Sequence, residues 1–117
     1  MKEQLVSAFV ERFDARPTVV TRAPGRLEIL GNHTDYNEGV VLSVAVDRAA
    51  FVAAGAVPGG TCCIRDIMDG SERTFSLDSL DSPTSGDWAN YVKGVVVELQ
   101  KRGIEIPAFE AVFGSTV

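Results

Sequence analysis

The sequence predicts an α+β unit, and three of its features carry that expectation. Apolar residues recur at helical spacing in two places, near the amino terminus and again after Trp88. Between and beyond these lie β-branched, continuous or alternating apolar stretches punctuated by glycine and proline. The 117 residues allow one domain or part of one, and 45% hydrophobic against 23% charged residues is the balance of a chain that buries a core.

Residues 2 to 14 place Leu5, Val6, Phe9, Val10 and Phe13 on one helical face, with Lys2, Glu3, Glu11 and Arg12 left for water. Pro17 ends this helix. Thr18-Val19-Val20-Thr21 is β-branched throughout and predicts a short strand running into a turn at Arg22-Ala23-Pro24-Gly25. Leu27, Ile29 and Leu30 form a second strand-like stretch, followed by the polar loop from Gly31 to Gly39. The apolar run from Val40 to Ala54, broken only by Asp47-Arg48, predicts two sheet strands. A membrane span would have to bury that Asp and Arg at about 2.5 to 3.5 kcal/mol each.

Residues 61–67 and 72–77 flank Asp69-Gly70 and predict an antiparallel hairpin. Residues 78–87, rich in Ser, Asp, Pro and Gly, form a surface connection. Trp88, Tyr91, Val92, Val95, Val96 and Leu99 then trace the apolar stripe of a helix, with Asp87 to cap it and Gly103 to stop it. After Pro107, Phe109, Ala111 and Phe113 alternate with Glu110, Val112 and Gly114, which predicts a final strand with one face more polar than the other. Because that strand has no exit residues, the chain is expected to be incomplete.

Eleven Lys and Arg against sixteen Asp and Glu give a net charge of −5, with no basic run to follow a polyphosphate backbone, so nucleic acid is excluded as a partner. Neither a secretory h-region nor an apolar span of membrane length is present, which makes the cytoplasm the expected location and excludes the membrane. Cys62 and Cys63 are adjacent and on a strand face opposite ways, so they predict two buried thiols rather than a disulfide. No metal site is expected, because His33 and Asp35 lack a third ligand at suitable spacing.

The chemistry concentrates in the polar loop. Arg26 precedes it, and Asn32, His33, Asp35 and Tyr36 fall within five positions. A carboxylate accepts from two neighbouring hydroxyls, while an amide and an imidazole each donate and accept, so the set suits a polyhydroxylated ligand such as a monosaccharide. Gly25, Gly31 and Gly39 let the backbone turn tightly and approach a ligand. The same residue types also make an ordinary surface turn, and Arg26 can equally pair with Glu28, Asp35 or Glu38 at the surface.

The order of residues goes further than their types. The run from Arg22 to Gly39, RAPGRLEILGNHTDYNEG, resembles the signature of the galactokinases, within the superfamily of galactose, homoserine, mevalonate and phosphomevalonate kinases. Trp88-Ala89-Asn90-Tyr91-Val92-Lys93-Gly94-Val95 resembles a second galactokinase segment, and the resemblance extends over nearly the whole chain. It implies an amino-terminal, incomplete galactokinase domain over residues 1–117 with its sugar-recognition loop at 22–39. The implied fold is a mixed β-sheet with helices on one face, ribosomal protein S5 domain 2-like. The implied activity is ATP-dependent phosphorylation of the anomeric hydroxyl of galactose. In the implied site Asp35 holds adjacent ring hydroxyls, His33 contacts a hydroxyl toward the exocyclic end, and Arg26 stabilises charge near the oxygen that receives the phosphate. Tyr36 borders the sugar or the core.

Two departures bear on specificity: Asn32 stands where the family usually has Glu, and Glu28 where it has Asn; Ser43 replaces a common Pro. An amide is a neutral and weaker acceptor than a carboxylate. A kinase for a related sugar such as N-acetylgalactosamine, or a non-catalytic sugar sensor, are therefore alternatives. The resemblance also implies that the Gly- and Ser-rich phosphate loop, the catalytic Asp and the Mg²⁺ ligands lie beyond Val117, so ATP and Mg²⁺ would be held mainly by groups outside these residues.

Overall fold

The computed structural model describes residues 1–30, 39–80 and 85–117. In chain order the elements are helix α1 (Lys2–Phe13), strands β1 (Val19–Leu30), β2 (Leu42–Ala56), β3 (Thr61–Asp66) and β4 (Glu72–Ser76), helix α2 (Ala89–Lys101) and strand β5 (Phe109–Ser115). The strands form one sheet in the order β1-β2-β5-β3-β4. All neighbours are antiparallel except β3 and β5, which run parallel, so the sheet is mixed as expected.

The two helices lie on opposite faces of this sheet, which corrects the expectation that they share one. Side chains alternate along a strand, and the two core clusters divide accordingly. Ala53 and Val112, paired across β2 and β5, pack with Leu5 and Phe9 of α1. Ala111, one residue along β5, packs instead with Ile64, Cys62, Phe75 and the α2 residues Ala89 and Val96. The expected polar face of β5 is absent for the same reason: Ala111 and Val112 are both buried because the strand lies inside the sheet under cover on both sides.

Helix α1 docks through Leu5 and Phe9, one turn apart, and ends at Asp14 in the left-handed conformation, where its N–H donates to Val10 O. Arg12, on the same helix, reaches across to β4. Its Nε and Nη2 donate to Glu72 Oε1 and Oε2 at 2.6 and 2.9 Å. The pairing holds the Glu72 carboxyl below its ordinary value, chiefly through the hydrogen bond from Arg12.

The hairpin around Asp69-Gly70 is present. Gly70, at φ +77°, donates to Asp66 O, and the Asp66 and Asp69 carboxylates accept from the backbone N–H of Met68 and Ser71. Helix α2 stops as expected at Gly103, at φ +80°, with Ile104 N–H returning to Leu99 O. Its buried stripe is rotated from the expected one: Ala89, Val92 and Val96 face the sheet, whereas Tyr91 and Val95 are 84% and 61% exposed. Two apolar stripes adjoin on this helix, and the one that carries Ala89, Val92 and Val96 meets the sheet. Cys62 is buried, while Cys63 faces the other way and is only half-buried, so the expectation of two buried thiols holds for one of them.

Two expected interruptions are absent. The Arg22–Gly25 turn lies inside the twelve-residue β1, and Asp47-Arg48 lies inside the fifteen-residue β2, which is one strand rather than two. Strand β1 is at the sheet edge, where proline is tolerated, and Pro24 borders an irregularity in the β1–β2 ladder.

Two outcomes follow from this packing. Phe9→Ala, which empties a fully buried ring site, is expected to lower unfolding free energy by about 3 to 5 kcal/mol in denaturant titration. Arg12→Gln is expected to cost about 1 kcal/mol near neutral pH, the pair being partly exposed. Glu72 is more acidic folded than unfolded, so its contribution is full above the ordinary value of 4.5 and fades as pH falls through the lowered one. Titrations at neutral and acid pH should show the wild-type advantage over Arg12→Gln shrinking in acid.

Candidate functional site

Strands β1 and β2 run together beyond the rest of the sheet. Strand β5 pairs with β2 only from Ala50 to Ala56, so residues 26–30 and 42–45 form a two-stranded arm. One face of the arm carries exposed apolar side chains, Leu27 opposite Val44 and Leu30 opposite Leu42. In the sequence, the segment that carries most of the candidate residues lies between the two strands of this arm.

Gly25 marks where the arm departs from the sheet. Pro24 pairs with Ala49 and Arg26 with Ala45, leaving Gly25 opposite Val46, Asp47 and Arg48. A Cβ at Gly25 would stand 3.0 Å from Val117 Cγ2 and 3.3 Å from both Arg48 O and Val46 Cγ2. Here glycine permits close approach of neighbouring strands rather than a tight turn. Arg26 follows immediately, exposed on β1, and makes its own interaction. Glu28 lies on the same side of the ladder, opposite Ser43, because the pairing is regular from 26 to 28. Its Oε1 is buried without a hydrogen-bond partner among the described residues.

Gly39 is exposed and precedes β2. The expectations for Gly31, Asn32, His33, Asp35 and Tyr36 lie outside the described residues. Of the predicted constellation, Gly25 and Arg26 are thus placed at the root of the arm.

Residues the sequence reading did not single out secure that root. Arg22 Nη2 donates to Asp47 O at 3.1 Å, with its guanidinium 6.0 Å from the centre of the Phe51 ring. Arg48 Nη1 donates to Thr116 O at 3.0 Å, and Thr116 is tied to Ala49 through N–H to Ala49 O and through Oγ1 accepting from Ala49 N, each 2.9 Å. Their bonds to backbone carbonyls leave no pattern in the sequence.

The second resembling segment opens α2. Asp87 Oδ1 accepts from Ala89 N–H at 3.0 Å and from Arg73 Nε at 3.2 Å, which together keep the carboxyl below its ordinary value, the Ala89 bond most strongly. The Arg73 guanidinium lies 5.3 Å from the Trp88 ring, which meets Phe113 edge-on at 5.1 Å. Beside them Gly86, Asp87, Trp88, Asn90 and Tyr91 line a cleft of about 350 Å³. Among the described residues no group of three or more His, Cys, Asp or Glu could hold a metal ion, and no helix is long and apolar enough to cross a membrane.

Comparison with known proteins places this geometry. Residues 7–56 match the galactokinase galactose-binding signature. A galactokinase of Chloroflexus aggregans is 34% identical over 113 residues, covering 97% of this chain and 29% of the relative; one from a Roseiflexus species is 36% identical over 118 residues with the same coverage. The chain therefore spans about 29% of the length of these curated relatives. The structure of Lactococcus lactis galactokinase complexed with galactose superimposes with a TM-score of 0.83 at 28% identity, covering 99% of this chain and 31% of that one. A mevalonate kinase from Methanococcus jannaschii shares the fold, with a TM-score of 0.66 at 14% identity over 85% of this chain and 32% of its own. Sequence motif, overall identity and sheet topology thus agree in what they resemble: over nearly its whole length the chain is similar to the first third of galactokinases.

Proposed function

We propose that this chain supplies the sugar-recognition part of a galactokinase, with residues 22–39 as its recognition segment. In the reaction the anomeric hydroxyl oxygen of galactose attacks the γ-phosphorus of ATP. The bond to the β–γ bridging oxygen breaks, and galactose 1-phosphate, ADP and a proton result. The match of residues 7–56 to the galactose-binding signature carries this reading. The reaction's use of ATP is consistent with the cytoplasmic location expected from the sequence.

In this reading Asp35 accepts from two adjacent ring hydroxyls, His33 bonds a hydroxyl toward the exocyclic end, Asn32 offers an amide to a third, and Tyr36 borders the ring. Gly31 and Gly39 shape the segment. Arg26, always charged, faces the oxygen to be phosphorylated and offsets the negative charge that grows there and on the phosphoryl group. The described residues do not build a Mg²⁺ site, and the metal that accompanies ATP falls to groups outside them.

The test is a chimera in which this chain replaces the matching part of the Chloroflexus aggregans galactokinase, assayed for galactose-dependent ADP release. Asp35→Ala is expected to raise KM for galactose at least about tenfold, and Arg26→Ala to lower kcat about a hundredfold with KM little changed. Equal kinetics in all three proteins would sink the assignment. Asn32 in place of the usual carboxylate favours a second sugar, so N-acetylgalactosamine belongs in the same assay; a higher kcat/KM for it than for galactose would revise the substrate. The 117-residue chain alone is expected to release no ADP above background, lacking the groups that position ATP.

A further inference from the structure

The junction between sheet and arm is built by residues to which the proposed chemistry gives no task. Opposite Gly25, strand β2 carries Val46, Asp47 and Arg48, two residues more than regular pairing needs. A bulge of this kind bends and twists whatever lies beyond it, and the first residue beyond it on β1 is Arg26. The bulge is tethered twice. Arg22 holds the Asp47 carbonyl from the β1 side, and Arg48 holds the Thr116 carbonyl just past the end of β5. Each tether leads back to well-paired sheet: Arg22 lies opposite Phe51 in the β1–β2 ladder, and Thr116 is bonded in both directions to Ala49.

We infer that Arg22 and Arg48 are positioning residues for Arg26: by pinning the β2 bulge to both of its neighbours, they set the direction in which the arm presents the Arg26 guanidinium. The inference rests on the reading of Arg26 as the group beside the reacting oxygen. Arg22 is basic and only four residues from Arg26, yet its guanidinium is engaged by a backbone carbonyl and the Phe51 ring, which suits a brace and not a second phosphate ligand. A charge that stabilises a transition state loses much of its effect when displaced by about an ångström. The loss should therefore fall on kcat.

The same chimera provides the test, with Arg22→Gln, Arg48→Gln and Arg22→Lys beside Arg26→Ala. Arg22→Gln and Arg48→Gln are each expected to lower kcat about tenfold while KM for ATP stays within about twofold. Arg22→Lys keeps a donor for the Asp47 carbonyl and is expected to recover most of that loss, which separates positioning from general destabilisation. Should Arg22→Gln fail to fold, Arg48→Gln reads the same effect from the other tether. Both glutamine variants within about twofold of the parent, or a loss in Arg22→Gln that lysine does not relieve, would overturn the inference. If Arg26→Ala is impaired while the glutamine variants are not, only the bracing role falls; if Arg26→Ala is itself unaffected, the proposed role of Arg26 fails with it.

Discussion

Strand β5 must bury successive residues on opposite sides, and the rest of the molecule is arranged to meet that demand. Val112 points toward Leu5 and Phe9 of α1, while Ala111 points toward Ile64 and the α2 side. A strand apolar on both sides needs two covering layers, so the helices cannot share a face. The Arg12–Glu72 bridge then ties α1 to β4, two strands beyond β5, across the face it covers. With both faces occupied, the sheet becomes the rigid base from which the β1–β2 arm extends.

The parts legible in the sequence were those whose signals are local. Leu5 and Phe9 sit one helical turn apart, Gly70 after Asp69 takes the positive φ of the turn at no steric cost, and Gly103 takes the positive φ that ends α2. The parts misread were those in which two interruptions cancel. Pro24-Gly25 and Asp47-Arg48 each read as a break, yet they lie across the ladder from one another. At an edge strand the missing proline donor costs little, and in a bulge the two charges turn outward. Which stripe of α2 meets the sheet was equally hidden, because Tyr91 and Val95 are as apolar as the residues beside them and only the contact surface decides.

The candidate site divides along the same line. Arg26 stands out in the sequence because its motif is long and ordered, and the fold sets it on a strand at the root of the arm. Arg22 and Arg48 do not, since they act through the carbonyls of Asp47 and Thr116, and any residue in those places presents the same oxygen. Glu28 belongs between the two cases: its departure from the family pattern was visible, while its buried, unpartnered oxygen could come only from coordinates.

The kink in β2 also guards the molecule against itself. From Leu42 to Ala45 the strand is paired with β1 alone among the described residues, so its other flank is an open edge of the sort on which identical copies stack. A stacking strand needs evenly spaced donors and acceptors, and the extra residues at Val46, Asp47 and Arg48 break that spacing while adding charge. A strand added to that flank of β2 could pair evenly along Leu42–Ala45 and would lose register at Val46.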